Sequence, residues 1–181
     1  MKEDIVFEGR VGEVVHTTQP DGRVFEQYRR PPGTRLIIVS PENKILITRE
    51  HRHETGNVDY RLPGGKVYDT LEQYNKYRNG DMTQAALEGA TREAREECGL
   101  DIKIPELISI AKAGATVEWD LYYFLVREYE EITTGQQLEQ GEDIEVTWMT
   151  TVEIIKAIEQ GQMQEWRSVG VLLGLVLPKL N

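Results

Sequence analysis

The chain has 181 residues, 39% hydrophobic and 29% charged, which is enough apolar material for one core and excludes wholesale disorder. Acidic residues outnumber basic ones 31 to 21, for a net charge of −10, so no nucleic-acid partner is expected. A small polyanionic ligand would need cations or a local arginine cluster. Cys98 is the sole cysteine, which excludes an internal disulfide and a multi-cysteine zinc site. Met1-Lys2-Glu3-Asp4 lacks the opening of a signal peptide, and the apolar run Val169 to Leu177 is too short to cross a bilayer. The expectation is a soluble, cytoplasmic, single-domain protein (1–181) with no membrane partner.

Residues 11–16 and 23–28 read as strands around Gln19-Pro20-Asp21-Gly22, where Asp-Gly signals a hairpin. Arg29-Arg30-Pro31-Pro32-Gly33 breaks that pattern. Leu36-Ile37-Ile38-Val39 then reads as a buried strand and Lys44 to Thr48 as its return, across a Pro41-Glu42-Asn43 turn. Over 83–98, Leu87, Ala90 or Thr91, Ala94 and Cys98 recur at spacings of three and four, predicting a helix with one buried face. Thr83 or Asp81 is its N-cap and Gly99 its stop. Strands follow at 105–112 and 120–126, then a polar loop from Glu130 to Asp143, of a length that is often functional. Glu145 to Trp148 closes the sheet, and helices at 151–159 and 165–177 end the chain. The fold class is α/β, a mixed sheet packed between helices.

The chemistry concentrates in Arg92-Glu93-Ala94-Arg95-Glu96-Glu97-Cys98-Gly99-Leu100. On a helix Glu93, Glu96 and Glu97 fall at i, i+3 and i+4, so their carboxylates share a face, with Arg92 four residues before Glu96 to brace it. Like charges so placed raise one another's pKa unless a cation sits among them, and hard oxygen donors suit Mg²⁺ or Mn²⁺. By itself the string also describes a solvated, ion-paired helix face, and Leu62-Pro63-Gly64-Gly65-Lys66-Val67 also describes a tight turn.

Together the two segments resemble the Nudix hydrolase signature, a Gly followed after a fixed gap by Arg-Glu-x-x-Glu-Glu-x-Gly and an aliphatic residue. Gly65 matches the first half; Arg92, Glu93, Glu96, Glu97, Gly99 and Leu100 match the second. Three positions depart from it. The Gly65-to-Arg92 gap is about 13 residues too long, which places an insertion at 70–82, read as a surface excursion. Gln84 stands for a peripheral Glu, and Ala94 for a larger aliphatic residue. The resemblance implies a Nudix-type α/β/α sandwich with a mixed β-sheet, preceded by an N-terminal hairpin arm over 1–33 that a homodimer would exchange.

The flanks resemble the ADP-ribose and nucleoside-diphosphate-sugar pyrophosphatases: Asp21 to Phe25 with Arg29-Arg30-Pro31, Thr48 to Arg52, Glu142-Asp143-Ile144, and Glu159 to Met163. The segment Ala113 to Val117 lacks the proline usual in ADP-ribose-specific members, so the expected substrates are nucleoside diphosphate sugars generally, ADP-ribose among them. The resemblance implies two or three Mg²⁺ (Mn²⁺ as substitute) on Glu93, Glu96, Glu97, Glu142 and the Gly64 carbonyl. Arg92 joins Glu96 in the catalytic set. The Gly64-Gly65 turn admits backbone close to the metals, and Arg52 holds a phosphate. Arg29 and Arg30, otherwise surface charges, reach the site only from a partner subunit, and Trp119 borders a base or sugar pocket.

The family's general base falls on Gln140, an amide that cannot take a proton from water at neutral pH. Either Glu139 acts after a one-residue loop shift, or Gln140 marks an inactivating Glu→Gln change. Two alternatives stand beside the sugar pyrophosphatase: a catalytically silent nucleotide-sugar-binding module, and a Nudix hydrolase of nucleoside triphosphates or dinucleoside polyphosphates. His16, His51 and His53 are too scattered for a zinc site, and Cys98, Trp148 and Trp166 read as core or interface.

Overall fold

The computed structural model describes residues 2–52, 56–138 and 140–180, with only the backbone of Arg52 and Asn57. The N-terminal arm is a sheet of β1 (Lys2–Glu8), β2 (Glu13–Thr18) and β3 (Val24–Arg29), antiparallel in sequence order. The β2–β3 turn carries Gly22 at φ +85°, a left-handed conformation open to glycine. β1 was not expected: all seven of its residues are exposed, so no alternation of burial is written into it.

β4 (Gly33–Ile38) leads through a Pro41–Asn43 turn into β5 (Ile45–Arg52), which pairs with β6 (Asn57–Arg61). Residues 70–82 do not form a surface excursion only. Thr70 caps a short helix, α1 (Leu71–Tyr77), whose Leu71 and Tyr74 are buried. Asp81, not Thr83, caps α2 (Met82–Cys98), and Gly99 ends it at φ +65°.

β7 (Leu100–Lys103) and β8 (Glu106–Ala111) follow, then β9 (Val117–Glu118) and β10 (Leu121–Val126). β11 (Glu128–Glu131) occupies the start of the expected loop because it pairs with β7. β12 (Ile144–Met149) pairs with β5, and α3 (Thr151–Glu159) begins at a Thr150/Glu153 capping box. The last helix is not continuous. α4 (Trp166–Val171) passes into a π-helical turn (Leu172–Val176), where Leu177 N–H reaches back to the Leu172 carbonyl, and then a 3₁₀ turn (Leu177–Lys179) containing Pro178.

At the centre β10 lies between β4, parallel to it, and β8, antiparallel. The period of two then sorts side chains into two cores. Leu36, Ile38, Tyr122 and Phe124 face α2, meeting Ala86, Ala90, Ala94 and Cys98. Ile37, Val39, Leu121 and Tyr123 face the C-terminal elements, meeting Ile154, Met163, Val169 and Leu172. Every residue of β4 is buried, as expected for a strand covered on both faces. The result is an α/β/α sandwich with an arm sheet that β9 joins in parallel to β3. No described helix is long and apolar enough to cross a membrane.

Candidate active site

α2 places the site. Its alanine stripe at i, i+4 and i+8 lets the helix lie close to β4, and Gly89 sits against Val67 and Thr34. The neighbouring face carries Glu93, Glu96 and Glu97 into a cleft of about 910 Å³. Opposite lies the Leu62–Lys66 turn, whose two glycines are each approached too closely to leave room for a side chain. Gly64 has φ +137°, and a Cβ there would lie 2.2 Å from the Thr34 carbonyl oxygen. A Cβ on Gly65 would lie 2.3 Å from Glu93 Oε1, so the carboxylate fills the space a side chain would take.

The turn and the helix are hydrogen-bonded across the cleft floor. Gly64 N–H donates to Glu97 Oε2 at 2.7 Å. Arg92 Nη2 donates to the Lys66 carbonyl at 2.9 Å and to Glu93 Oε1 at 3.2 Å, with its Nε 3.7 Å from Glu96. Arg35, buried on β4, donates through Nη1 to the Gly64 carbonyl at 2.9 Å and to Thr34 O at 2.8 Å. The Gly64 oxygen, expected as a metal ligand, therefore already accepts from a guanidinium and keeps one further lone pair.

Burial, reinforced by Glu93, pushes the Glu97 carboxyl up to about 8; the Gly64 N–H and Arg35 oppose this. Burial also raises Glu93, which Arg92 offsets and Glu96 and Glu142 add to. Among the described residues no three carboxylate, imidazole or thiol groups converge tightly enough to cage an ion on their own. The donor set nonetheless suits a hard cation. Glu97, buried, and Glu93, half-buried, hold raised pKa values because burial penalises their charged forms, and Glu96 and Glu142 line the same cleft.

The remaining expected residues divide. Trp119 and Arg30 line the cleft together, the Arg30 guanidinium 4.4 Å from the ring centroid and that of Arg167 4.2 Å from it. Two cations over one indole make Trp119 a platform for arginine, not an empty stacking face for a base. Arg29 does not line the cleft. It is buried in an ion cluster with Glu13 at 3.2 Å, Glu3 at 3.0 Å and Glu118 at 3.0 Å, which holds the arm to β9. It is thus neither the surface charge expected of it nor part of this chain's own cleft.

Gln140 is exposed, and among the described residues of its loop Gly141, Glu142 and Asp143 line the cleft. Glu139 and the Arg52 side chain lie outside the described residues. Trp166, expected in core or interface, is exposed in this chain. Sequence reasoning missed Arg35, Arg61, Lys66, Glu50 and Asp69, all of which line the cleft. Glu50 accepts from Thr48 Oγ1 at 3.1 Å and lies 3.6 Å from Arg61. Only the strand pattern on β5 and β6 carried a signal, since residues two apart share a face. Among the described residues, five cations (Arg30, Arg35, Arg61, Lys66 and Arg92) gather at the cleft beside seven carboxylates.

Comparison with known proteins agrees with this geometry. The family model for the NUDIX domain matches residues 29–168. A curated relative, the methanol dehydrogenase activator of Bacillus methanolicus, is 21% identical over 174 residues, covering 93% of this chain and 87% of its own. A crystal structure of an ADP compounds hydrolase superposes with a TM-score of 0.65 at 15% identity, covering 96% of this chain and 89% of that one, a likeness of fold. With a domain model spanning most of the chain, and the glycine turn and glutamate helix assembled at one cleft, the chain belongs to the Nudix family.

Proposed function

We propose that this Nudix chain hydrolyses the diphosphate linkage of nucleoside diphosphate sugars, ADP-ribose included, giving a nucleoside monophosphate and a sugar phosphate. The observation that carries the reading is the pairing of half-buried Glu93 and buried Glu97 against the Gly64-Gly65 backbone, inside a cleft whose described lining mixes five cations with seven carboxylates. A diphosphate repels an incoming nucleophile, so hydrolysis needs its charge neutralised and a water aligned on one phosphorus. Divalent metal, Mg²⁺ or Mn²⁺, would be held by Glu93, Glu96, Glu97 and Glu142, with the second lone pair of Gly64 O. Once bound, it would polarise phosphoryl oxygens and lower the pKa of water.

The chain's own groups do the rest. Arg92 fixes the Glu93 and Glu96 carboxylates, while Arg35, Arg61 and Lys66 offer positive charge to the phosphates. The water oxygen joins phosphorus, the bridging P–O bond breaks, and the displaced phosphate leaves as the second product. The water's proton passes to a carboxylate at the cleft, and Glu139 is the loop candidate. Lone, buried Cys98 fits work in a reducing, cytoplasmic setting. The outer strand β1, with Ile5, Val6 and Phe7 exposed, supports a homodimer joined through the arm.

Turnover of ADP-ribose and a panel of nucleotide sugars with Mg²⁺ tests the reading. It expects cleavage between the two phosphorus atoms and loss of at least about a hundredfold in Glu97→Gln. Release of pyrophosphate from triphosphates, with sugars untouched, overturns it. The amide at Gln140, which cannot take a proton from water, favours a second reading, a silent nucleotide-sugar-binding module, and the name of the methanol dehydrogenase activator is compatible with one. That reading wins if the sugars bind and no form, Gln140→Glu included, cleaves them.

A further inference from the structure

Behind the glycine turn stands a buried arginine that no carboxylate contacts. The period of two on β4 puts Arg35 on the same face as Ile37 and Val39, and it is 5% exposed. Its register partner on β10 is Tyr123, whose hydroxyl is committed to Glu165 at 3.1 Å and Ser168 at 3.1 Å. Arg29, equally buried, meets three carboxylates. Among the described residues Arg35 meets only the Thr34 and Gly64 carbonyls, both through Nη1, and its Nε has no hydrogen-bond partner. A buried charge left without a counter-charge costs stability, which points to work at the cleft it lines. That work is not to place the turn. Thr34 N–H donates to the Gly65 carbonyl and Leu36 N–H to the Pro63 carbonyl, both at 2.9 Å, so β4 grips the turn on either side of Gly64. What Arg35 adds is positive charge at the Gly64 oxygen. The same charge reaches Glu97, which the Gly64 N–H holds from the other side.

We propose that Arg35 ties metal loading to the substrate: its guanidinium weakens the glutamates' hold on a divalent ion in the free chain, and a bound diphosphate offsets it. The inference rests on the hydrolase reading for the place of the diphosphate. An ion on the second lone pair of the Gly64 oxygen would share that one atom with a cation, a like-charge contact. The carboxylates do not overcome it by geometry, since among the described residues no three such groups converge into a cage. Phosphate oxygens bring charge of the opposite sign, so ion and substrate each strengthen the other's binding by the same factor. Without an ion the carbonyl keeps its hydrogen bond, and the cleft holds its shape between turnovers.

The test is Mn²⁺ binding to the metal-free full chain, read by electron paramagnetic resonance, with and without a methylene-bridged ADP-ribose analogue that cannot be cleaved. Ion held by the analogue itself is subtracted, and urea midpoints show that each variant is folded. Without the analogue, Arg35→Gln and Arg35→Met are expected to bind Mn²⁺ about tenfold or more tightly than the parent, the scale of a divalent ion beside a unit charge under strong screening. The tightening that the analogue brings shrinks by the same factor, and Arg35→Lys, which keeps the charge, behaves as the parent. Equal or weaker Mn²⁺ binding in both neutral variants overturns the proposal and makes Arg35 a brace of the turn. Tightening in Arg35→Lys as well overturns it too, because the bond and not the charge would then be at work. Should both neutral variants fail to fold, the parent decides: Mn²⁺ held as tightly without the analogue as with it overturns the proposal. All three leave the hydrolase reading standing where the parent cleaves ADP-ribose. If the parent cleaves no nucleotide sugar, that reading fails and methylenediphosphonate replaces the analogue; the same tightening and the same lost coupling then uphold Arg35.

Discussion

Gly64 and Gly65 are adjacent, and replacing each by alanine should break different things. The Cβ of Gly65→Ala would lie 2.3 Å from Glu93 Oε1, whereas ordinary contact begins near 3.4 Å. The carboxylate must therefore withdraw by about 1 Å, which the end of a flexible side chain does at little cost to folding. A displacement of that size in a reacting group costs roughly a hundredfold in turnover. In Gly64→Ala the new atom would meet the Thr34 backbone oxygen at 2.2 Å, at φ +137°. Backbone cannot step aside, so the expected cost is about 2 kcal/mol or more of stability. Urea unfolding and ADP-ribose hydrolysis across a Mg²⁺ titration, run on both variants, separate the two effects. Gly65→Ala should unfold with the parent midpoint, turn over about a hundredfold more slowly and need more Mg²⁺. Full activity in Gly65→Ala, or unfolding of both variants alike, would refute the assignment of Glu93 to the reacting centre.

Four further outcomes are expected. Glu97, raised by burial to about 8 from an ordinary 4.5, favours the folded state only while protonated; that stability is complete below about 4.5 and lost as pH rises through 8. Melting temperatures of metal-free protein should therefore fall between pH 5 and 9, Mg²⁺ should oppose the fall, and Glu97→Gln should flatten it; parallel curves for parent and variant would exclude Glu97 as the cause. Arg29→Ala strands fully buried Glu13 and should cost about 3–5 kcal/mol in urea unfolding, with KM little changed. A KM effect at parent stability would return Arg29 to the substrate. Ile5→Lys with Phe7→Glu should give a monomer by light scattering if β1 forms the dimer joint, and a dimer of unchanged mass rules that joint out. Gln140→Glu and Glu139→Gln assayed together locate the loop base: a silent Glu139→Gln beside an accelerated Gln140→Glu removes the shifted-loop account.

The elements legible in the sequence were those whose burial follows a period. α2 differs from expectation by one residue, and α3 matches because its capping box and apolar spacing are both local. β1 was illegible because it buries nothing, and the π-helical turn because Leu172-Leu173-Gly174-Leu175-Val176 has no regular polar face against which to read a slip. At the site, the signature put Glu93, Glu96, Glu97 and the glycine turn together. Arg35 was invisible, since it sits in an unbroken buried strand, and Arg61 was marked only by its place in the β6 alternation. Arg29 misled for a similar reason. Its carboxylate partners lie 16, 26 and 89 residues away, a neighbourhood that no window of sequence contains.

That neighbourhood also reaches the insertion. Glu118 accepts from Arg29 through one oxygen and from Tyr74 of α1 through the other, and Leu71 N–H donates to the Arg10 carbonyl in the β1–β2 connection. α1 is therefore moored to the N-terminal arm by two separate lines, one through the Glu118 carboxylate and one through backbone. A perturbation of the arm would reach α1 without passing through the α2 glutamates, which are held from the other side by the Gly64 N–H and by Arg92.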